Sequence, residues 1–513
     1  MSALLEERAR RIRHAPGGPG GKASSLWRLP CAAAICVLAA FPLHAQQAAS
    51  PLPGGRAQTP AVQSVLAAPP VQTETGPEAA QQPGQSAQVR TGTASGLTAN
   101  TRLLNLLADH QFLVLRDQLG KMPPQEAQFY RGILANRDND ARKSIALLEP
   151  LVDKVTASGN VEQEKVLRKA LAEDYLRLGA WAKAAEAYQT LESRLKSKLT
   201  PDEEDEIEMP LKLLPLAAAN PPMTVEPCDP FQLQVSRDPL GLTDIPVFVD
   251  AQPQTFMLDP TAPFNLISSS IAKEVGLKVS DQFATIRTLT GKPIKVRVTV
   301  IPRFTIGGRL ELRNMTVFVF DDADYFFPRT QYQVEGVLGY PALQALGSLT
   351  ITADSTIEVR PAKQILPPEK DDLLKRGAPF FLDGDEIIVA LGGHGAPDGR
   401  GARMFVVDAS GQQTYLTARY YDEYSAQFAG QQMQLFSIPG SDSLPPQPAY
   451  MAETIPLTVG RTTVKVHYIQ VLTEPLGNAA LDDVYGVLGV DALDQLKSYT
   501  FDYRTMRFSV RPE

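Results

Sequence analysis

Between residues 101 and 200 apolar positions recur every three or four residues, as in "LLNLLADHQFLVLRDQL" and "ALAEDYLRLGAWAKAAEAYQTLESRL". That spacing predicts helices that pack through one face. After about Pro221 the period changes. Short runs rich in Val, Ile, Phe and Thr alternate with Gly, Pro and Asp turns, which predicts a mainly β region. The acidic stretch "TPDEEDEIEMP" (200–210) between the two reads as a solvated linker. Residues 46–100 are Ala, Gln, Pro, Ser and Gly with almost no aromatics. Such a segment buries too little surface to order itself and is expected to be a flexible tether.

The first 45 residues carry a different pattern. Arg8, Arg10, Arg11, Arg13, Lys22 and Arg28 precede an apolar stretch from Leu29 to Leu43 that ends "LHAQQ". This has the layout of an export signal, with cleavage expected after Ala45. The apolar stretch is short for a membrane span, so no stable span is expected after cleavage. An uncleaved anchor is the alternative. Export implies a periplasmic or secreted protein.

The β region contains an internal repeat. "EGVLGYPAL" (335–343) returns as "YGVLGVDAL" (485–493), a shift of 150 residues. Asp259 and Asp408 are 149 apart, and each ends an apolar strand, "TFMLD" and "MFVVD". Each is followed by a short helix-like stretch, and each Gly-Val-Leu-Gly by a closing hairpin, "LTITADSTIEVRP" and "YTFDYRTMRFSVRP". Landmarks in one order at one offset point to two copies of a domain of ordinary single-core size. The expected boundaries are 225–362 and 378–513.

Composition narrows the chemistry. An apolar fraction of 43% and a charged fraction of 21% are ordinary for globular protein. A net charge of −7 without a basic face argues against nucleic acid as a partner. With five His and three Cys, and no CxxC, HExxH or Gly-rich phosphate loop, neither a metal site nor a cofactor is expected. Cys31 and Cys36 lie in the apolar leader, which leaves Cys228 alone and excludes a disulfide framework. His394, in "GGHGAPDG", reads as a solvated loop residue, and Tyr340, Tyr420 and Tyr421 read as core.

Two resemblances follow from these motifs. Tyr175, Leu178, Gly179, Trp181, Ala185 and Tyr188 are placed much as in tetratricopeptide repeats, and "ANRDNDARKSIALLEPL" follows the same course more loosely. This implies a degenerate helical-repeat domain over 101–200, serving either as a protein-binding groove or as a spacer. The order of strand, Asp, turn, helix, hairpin and Gly-x-hydrophobic-Gly resembles the retropepsin-like aspartic protease domain. Two fused copies resemble the pepsin-like, bilobal form of that family. The fold class implied is therefore multidomain, an α-helical tetratricopeptide-like domain followed by two retropepsin-like lobes. "RTLTGKPIKV" (287–296) is a candidate flap over the cleft.

The resemblance implies a catalytic pair, Asp259 and Asp408, and an aspartic-type endopeptidase acting on peptide or protein. The family motif is Asp-Thr-Gly, and this chain departs from it twice, with Asp259-Pro260-Thr261-Ala262 and Asp408-Ala409-Ser410-Gly411. Pro260 also fixes φ and removes a backbone donor. Thr261 and Ser410 are candidates for a displaced hydroxyl cross-link, while Gly336, Gly339, Gly486 and Gly489 let strands pass close to the aspartate loops. Two function classes stay open: an active endopeptidase, and a pseudoprotease that binds peptide without cleaving it.

Overall fold

The structure is a computed structural model that describes residues 91–511 apart from 261, 263, 288–292, 329, 362–375, 385, 393–400, 410, 412, 439–444 and 478. The export signal, residues 46–90 of the expected tether, His394 and the turn of the candidate flap lie outside the described residues.

Among the described residues eight α-helices come first: α1 (Thr91–Ala108), α2 (Phe112–Gly120), α3 (Pro124–Arg137), α4 (Ala141–Leu148), α5 (Val152–Ser158), α6 (Val161–Arg177), α7 (Trp181–Leu195) and α8 (Pro201–Ala217). The helical region is thus longer than expected at both ends. α1 takes in residues 91–100 of the expected tether, a stretch that holds no proline to break a helix. The acidic stretch at 200–210 is not a linker but the first half of α8. Thr200 and Glu203 form a capping box, with Glu203 N–H to Thr200 Oγ1 at 3.2 Å and Thr200 N–H to Glu203 Oε2 at 2.7 Å. Lys165 of α6 meets Glu203 at 2.9 Å, and Lys169 pairs with Glu206. These partners neutralise an acidic run that would otherwise repel itself.

After a short strand at Thr224–Val225, the β region runs through β1 (Phe231–Gln234), β2 (Ser236–Arg237), β3 (Thr243–Val249), β4 (Gln252–Leu258), β5 (Leu266–Ser268), β6 (Phe283–Arg287), β7 (Pro293–Ile306), β8 (Leu310–Phe320) and β9 (Gly336–Leu338), then the hairpin β10 (Ser348–Thr352) and β11 (Thr356–Arg360). It continues with β12 (Ala378–Asp383), β13 (Glu386–Leu391), β14 (Arg403–Val407), β15 (Tyr415–Leu416), β16 (Gln447–Val459), β17 (Thr462–Leu472) and β18 (Gly486–Leu488), then the hairpin β19 (Ser498–Asp502) and β20 (Arg507–Val510). Neighbouring strands run β8-β5-β9-β4-β3 in the first set and β17-β15-β18-β14-β13 in the second. In each set the last short strand runs parallel to the one that ends at the aspartate: Leu338 opposite Leu258, and Leu488 opposite Val407. Six strands, β1-β11-β10-β19-β20-β12, continue the sheet of the second set through the β12–β13 pair, while the first set forms a sheet of its own.

The helices lie on both strand sets. Phe112, Leu115 and Phe129 share an apolar cluster with Phe381, Ile388 and Val406. Met209, Leu213 and Ala217 of α8 share another with Ala284, Ile294 and Val296 of β6 and β7. A buried ion cluster links the helices to β12. Asp383 pairs with Arg137 at 2.6 Å and lies 3.0 Å from His110 Nδ1, and Arg137 reaches Glu173 at 3.3 Å. Although burial alone would raise the Asp383 carboxyl, the adjoining Arg137 and His110 hold it below the usual range.

Candidate active site

Each aspartate stands at the end of a strand whose alternating side chains fill the core. Met257 and Leu258 precede Asp259, and Val406 and Val407 precede Asp408; all four are buried. The Asp259 N–H donates to the Leu338 carbonyl at 3.1 Å, and the Asp408 N–H to the Leu488 carbonyl at 3.0 Å. Both loops then turn back on their own carboxylate. The Ala262 N–H donates to Asp259 Oδ1 at 3.1 Å, and the Gly411 N–H to Asp408 Oδ1 at 2.8 Å.

The loops are tied to the glycine strands in the same way. The Ala262 carbonyl accepts from Tyr340 N–H at 2.7 Å, and the Gly411 carbonyl from Val490 N–H at 2.8 Å. The Gly339 N–H donates to Asn265 Oδ1 at 3.0 Å, and the Gly489 N–H to Thr414 Oγ1 at 2.8 Å. In the second loop Asp491 fixes that hydroxyl further. Its Oδ1 accepts from Thr414 N–H at 2.8 Å and Thr414 Oγ1–H at 2.6 Å. Position 341, the counterpart of 491, is Pro341, so the first loop has no such carboxylate.

All four glycines are needed for space, since φ is −98° at Gly339 and −88° at Gly489, open to any residue. A Cβ on Gly339 would stand 2.1 Å from the Phe264 carbonyl oxygen, and one on Gly489 2.7 Å from the Gln413 carbonyl carbon. A Cβ on Gly336 would meet the Phe256 ring at 2.5 Å, and on Gly486 the Leu416 side chain at 2.6 Å. Gly411 belongs with them, because a Cβ there would lie 2.4 Å from Asp408 Oδ2.

Asp259 is 5% exposed, whereas Asp408 is half-buried. The Tyr503 hydroxyl lies 3.5 Å from the Pro260 carbonyl, so the turn between β19 and β20 touches the first aspartate loop. Val490 packs against the apolar cluster that Ala262 and Phe264 also flank. Burial raises the Tyr503 and Tyr325 hydroxyls well above their usual range, and the charge of Asp259 adds to it. Burial and then the charge of Asp408 do the same to Tyr415.

Thr261 and Ser410 lie outside the described residues. Tyr340 is buried and meets Tyr503 edge-on at 5.6 Å; Tyr420 is buried, and Tyr421 stacks on Tyr450 at 5.7 Å. Cys228 is half-buried, and burial raises its thiol. Among the described residues no group of three His, Cys, Asp or Glu could hold a metal, and no helix is long and apolar enough to cross a membrane.

Sequence reasoning passed over Ala262, Gly411, Asn265, Thr414 and Asp491. A signal was available for two of them, because Asn265 and Thr414 each stand six residues after their aspartate.

Residues 245–342 match the family described as aspartyl protease, a span that holds Asp259, Gly336 and Gly339. No curated protein matches the chain. Among solved structures, it is similar to conglutin gamma, a basic 7S globulin from lupine seeds, at 11% identity over 56% of this chain and 96% of that one, with a TM-score of 0.34. Basic 7S globulin from soybean gives 12% identity over 55% and 95%, with a TM-score of 0.35. A retropepsin-like aspartic protease from Rickettsia conorii gives 17% identity over 26% and 94%, with a TM-score of 0.20.

Proposed function

We propose that residues 225–362 and 378–513 are two retropepsin-like lobes of a pepsin-like pair, with Asp259 and Asp408 as its carboxylates, and that the chain is an exported aspartic endopeptidase. The observation that carries this reading is the matched cradle around the two aspartates. Each main-chain N–H is tied to the leucine of a Gly-Val-Leu strand, and each Oδ1 takes an N–H from three residues on. The aspartyl-protease family match over 245–342 supports the first lobe.

Two carboxylates brought together cannot both ionise, so such a pair shares one proton. The ionised member takes a proton from a bound water as the water attacks the peptide carbonyl. The protonated member meanwhile hydrogen-bonds the carbonyl oxygen that gains charge. No metal or cofactor enters this chemistry. The partner is peptide or protein, and the helices, read as degenerate tetratricopeptide-like repeats, provide a second surface for one.

One observation favours a second reading. Pro260 and Ala409 lack the hydroxyl that the family places beside each aspartate. On that reading the chain is a pseudoprotease that retains the cleft as a peptide-binding module. Digestion of an unfolded protein at acid pH, with and without a statine-type inhibitor, separates the two. Inhibitor-sensitive cleavage supports the endopeptidase. Peptide binding without cleavage overturns it in favour of the binding module.

A further inference from the structure

A second pair of buried carboxylates lies beside the strand that leads to Asp259. Asp238 is 8% exposed and Asp244 is 7% exposed. Ser236 pairs with Asp244 across β2 and β3, and the Asp238 N–H bonds to the Leu242 carbonyl. Two side chains at such diagonal positions stand on one face of a hairpin. Asp238 Oδ1 accepts the N–H groups of Leu240 and Leu242, both at 2.8 Å, which shapes the turn. The Tyr332 hydroxyl lies 3.3 Å from Asp244 Oδ2 and also faces Asp238, whose carboxyl it lowers against the effect of burial. The other two oxygens, Asp238 Oδ2 and Asp244 Oδ1, are buried and make no hydrogen bond.

The groups that act on Asp244 are Asp238, Tyr332 and Glu335, and none of them is a cation. Glu335 is turned toward the Thr255 N–H at 3.2 Å. The nearby Arg237 guanidinium is taken up by Asp494 at 2.6 Å and the Gly241 carbonyl at 3.0 Å. Burial and the charge of Asp238 push the Asp244 carboxyl up to about 6. Burial raises Asp238 as well. A proton on Asp244 removes the repulsion between the two buried carboxyls.

We propose that the buried carboxyls of Asp238 and Asp244 act as an acid sensor: with one of them protonated the 236–244 turn is closed, and with that proton lost to solvent it opens. Asp244 stands opposite Met257, two residues before Asp259, so the sensor adjoins the proposed site. The sensor itself does not rest on the endopeptidase reading.

The sign follows from linkage. An unfolded aspartate titrates near 3.9. A folded-state value raised above that costs nothing while the group is protonated in both states, at about pH 4 and below. The cost grows from there and is complete once the folded-state carboxyl has ionised. A rise to about 6 changes the opening equilibrium of the turn roughly a hundredfold.

Amide exchange over 236–258, corrected for intrinsic rates and followed from pH 4.5 to 8 in the full chain, tests this. Opening is expected to rise at least tenfold in the wild type and to stay flat in Asp244→Asn. Asp238→Asn, which keeps the turn acceptor and removes the second of the causes that raise Asp244, is expected to show a smaller rise than the wild type and serves if the first variant does not fold. Asp259→Asn is expected to keep the wild-type rise, which separates this proposal from the fate of the endopeptidase reading. A wild-type turn with no pH dependence, or an Asp244→Asn or Asp238→Asn variant that keeps the full wild-type rise, overturns the proposal.

Discussion

The hydroxyls of Thr350 and Thr500 meet at 2.8 Å in the middle of the six strands β1-β11-β10-β19-β20-β12, and the two residues are 150 positions apart. That is the offset at which Gly-Val-Leu-Gly recurs. The hydrogen bonds on either side are reciprocal: Ala353 N–H to the Lys497 carbonyl at 2.7 Å, and Tyr503 N–H to the Gly347 carbonyl at 2.9 Å. Each residue of the first bond has its partner in the second, again 150 positions on. An antiparallel strand that pairs with its own repeat about the repeated residue has a local two-fold axis at that point. β10 and β19 have this register from Ser348–Asp502 to Thr352–Ser498.

The pair can be tested by a mutant cycle. Thr350 is 2% exposed and Thr500 is 1% exposed. Thr350→Val or Thr500→Val alone leaves one buried hydroxyl without its partner, at a cost of about 1–3 kcal/mol. The double substitution removes both groups and is expected to cost less than the sum of the two. Urea unfolding of the four proteins measures the coupling, and strict additivity contradicts the contact.

Alanine at Gly339 or at Gly489 brings a methyl group against backbone atoms of the aspartate loop. Overpacking of that kind costs about 1–3 kcal/mol. The two variants are expected to be impaired alike, in stability by urea unfolding and in whatever the site does. Free tolerance of alanine at either position contradicts the cradle.

Asp383 joins β12 to the helices through Arg137 and His110. Asp383→Asn keeps the shape and removes the charge, and loss of one partner of a buried pair costs about 3–5 kcal/mol. The Asp383 carboxyl is held low in the folded state. Its contribution is therefore present above the unfolded value near 3.9 and fades as the pH falls toward the folded one. Urea unfolding is expected to show a wide gap between variant and wild type at pH 7 that narrows below about pH 4.

The two aspartates and four glycines were legible because the chain repeats itself. One residue type at the same step of two copies carries a signal that a single motif lacks. Ala262 and Gly411 contribute main-chain N–H groups, which every residue except proline supplies, so side-chain identity gave no reason to select them. The capping signature of α8 was present as Thr200 and Glu203, but the lysines that neutralise its acidic turn come from α6. The cluster of His110, Arg137 and Asp383 was beyond reach for the same reason. Nothing along the chain shows that positions 110, 137 and 383 meet.

The central claim is that Asp259 and Asp408 act as one pair. The most direct measurement is cleavage of an unfolded protein as a function of pH by the wild type, Asp259→Asn and Asp408→Asn. The account predicts wild-type cleavage with a maximum at acid pH, where one carboxyl is protonated and the other is not. It predicts the loss of that cleavage in each single variant, because one carboxyl cannot serve as both acid and base. Cleavage that persists in either variant, or its absence from the wild type at every pH, would contradict it.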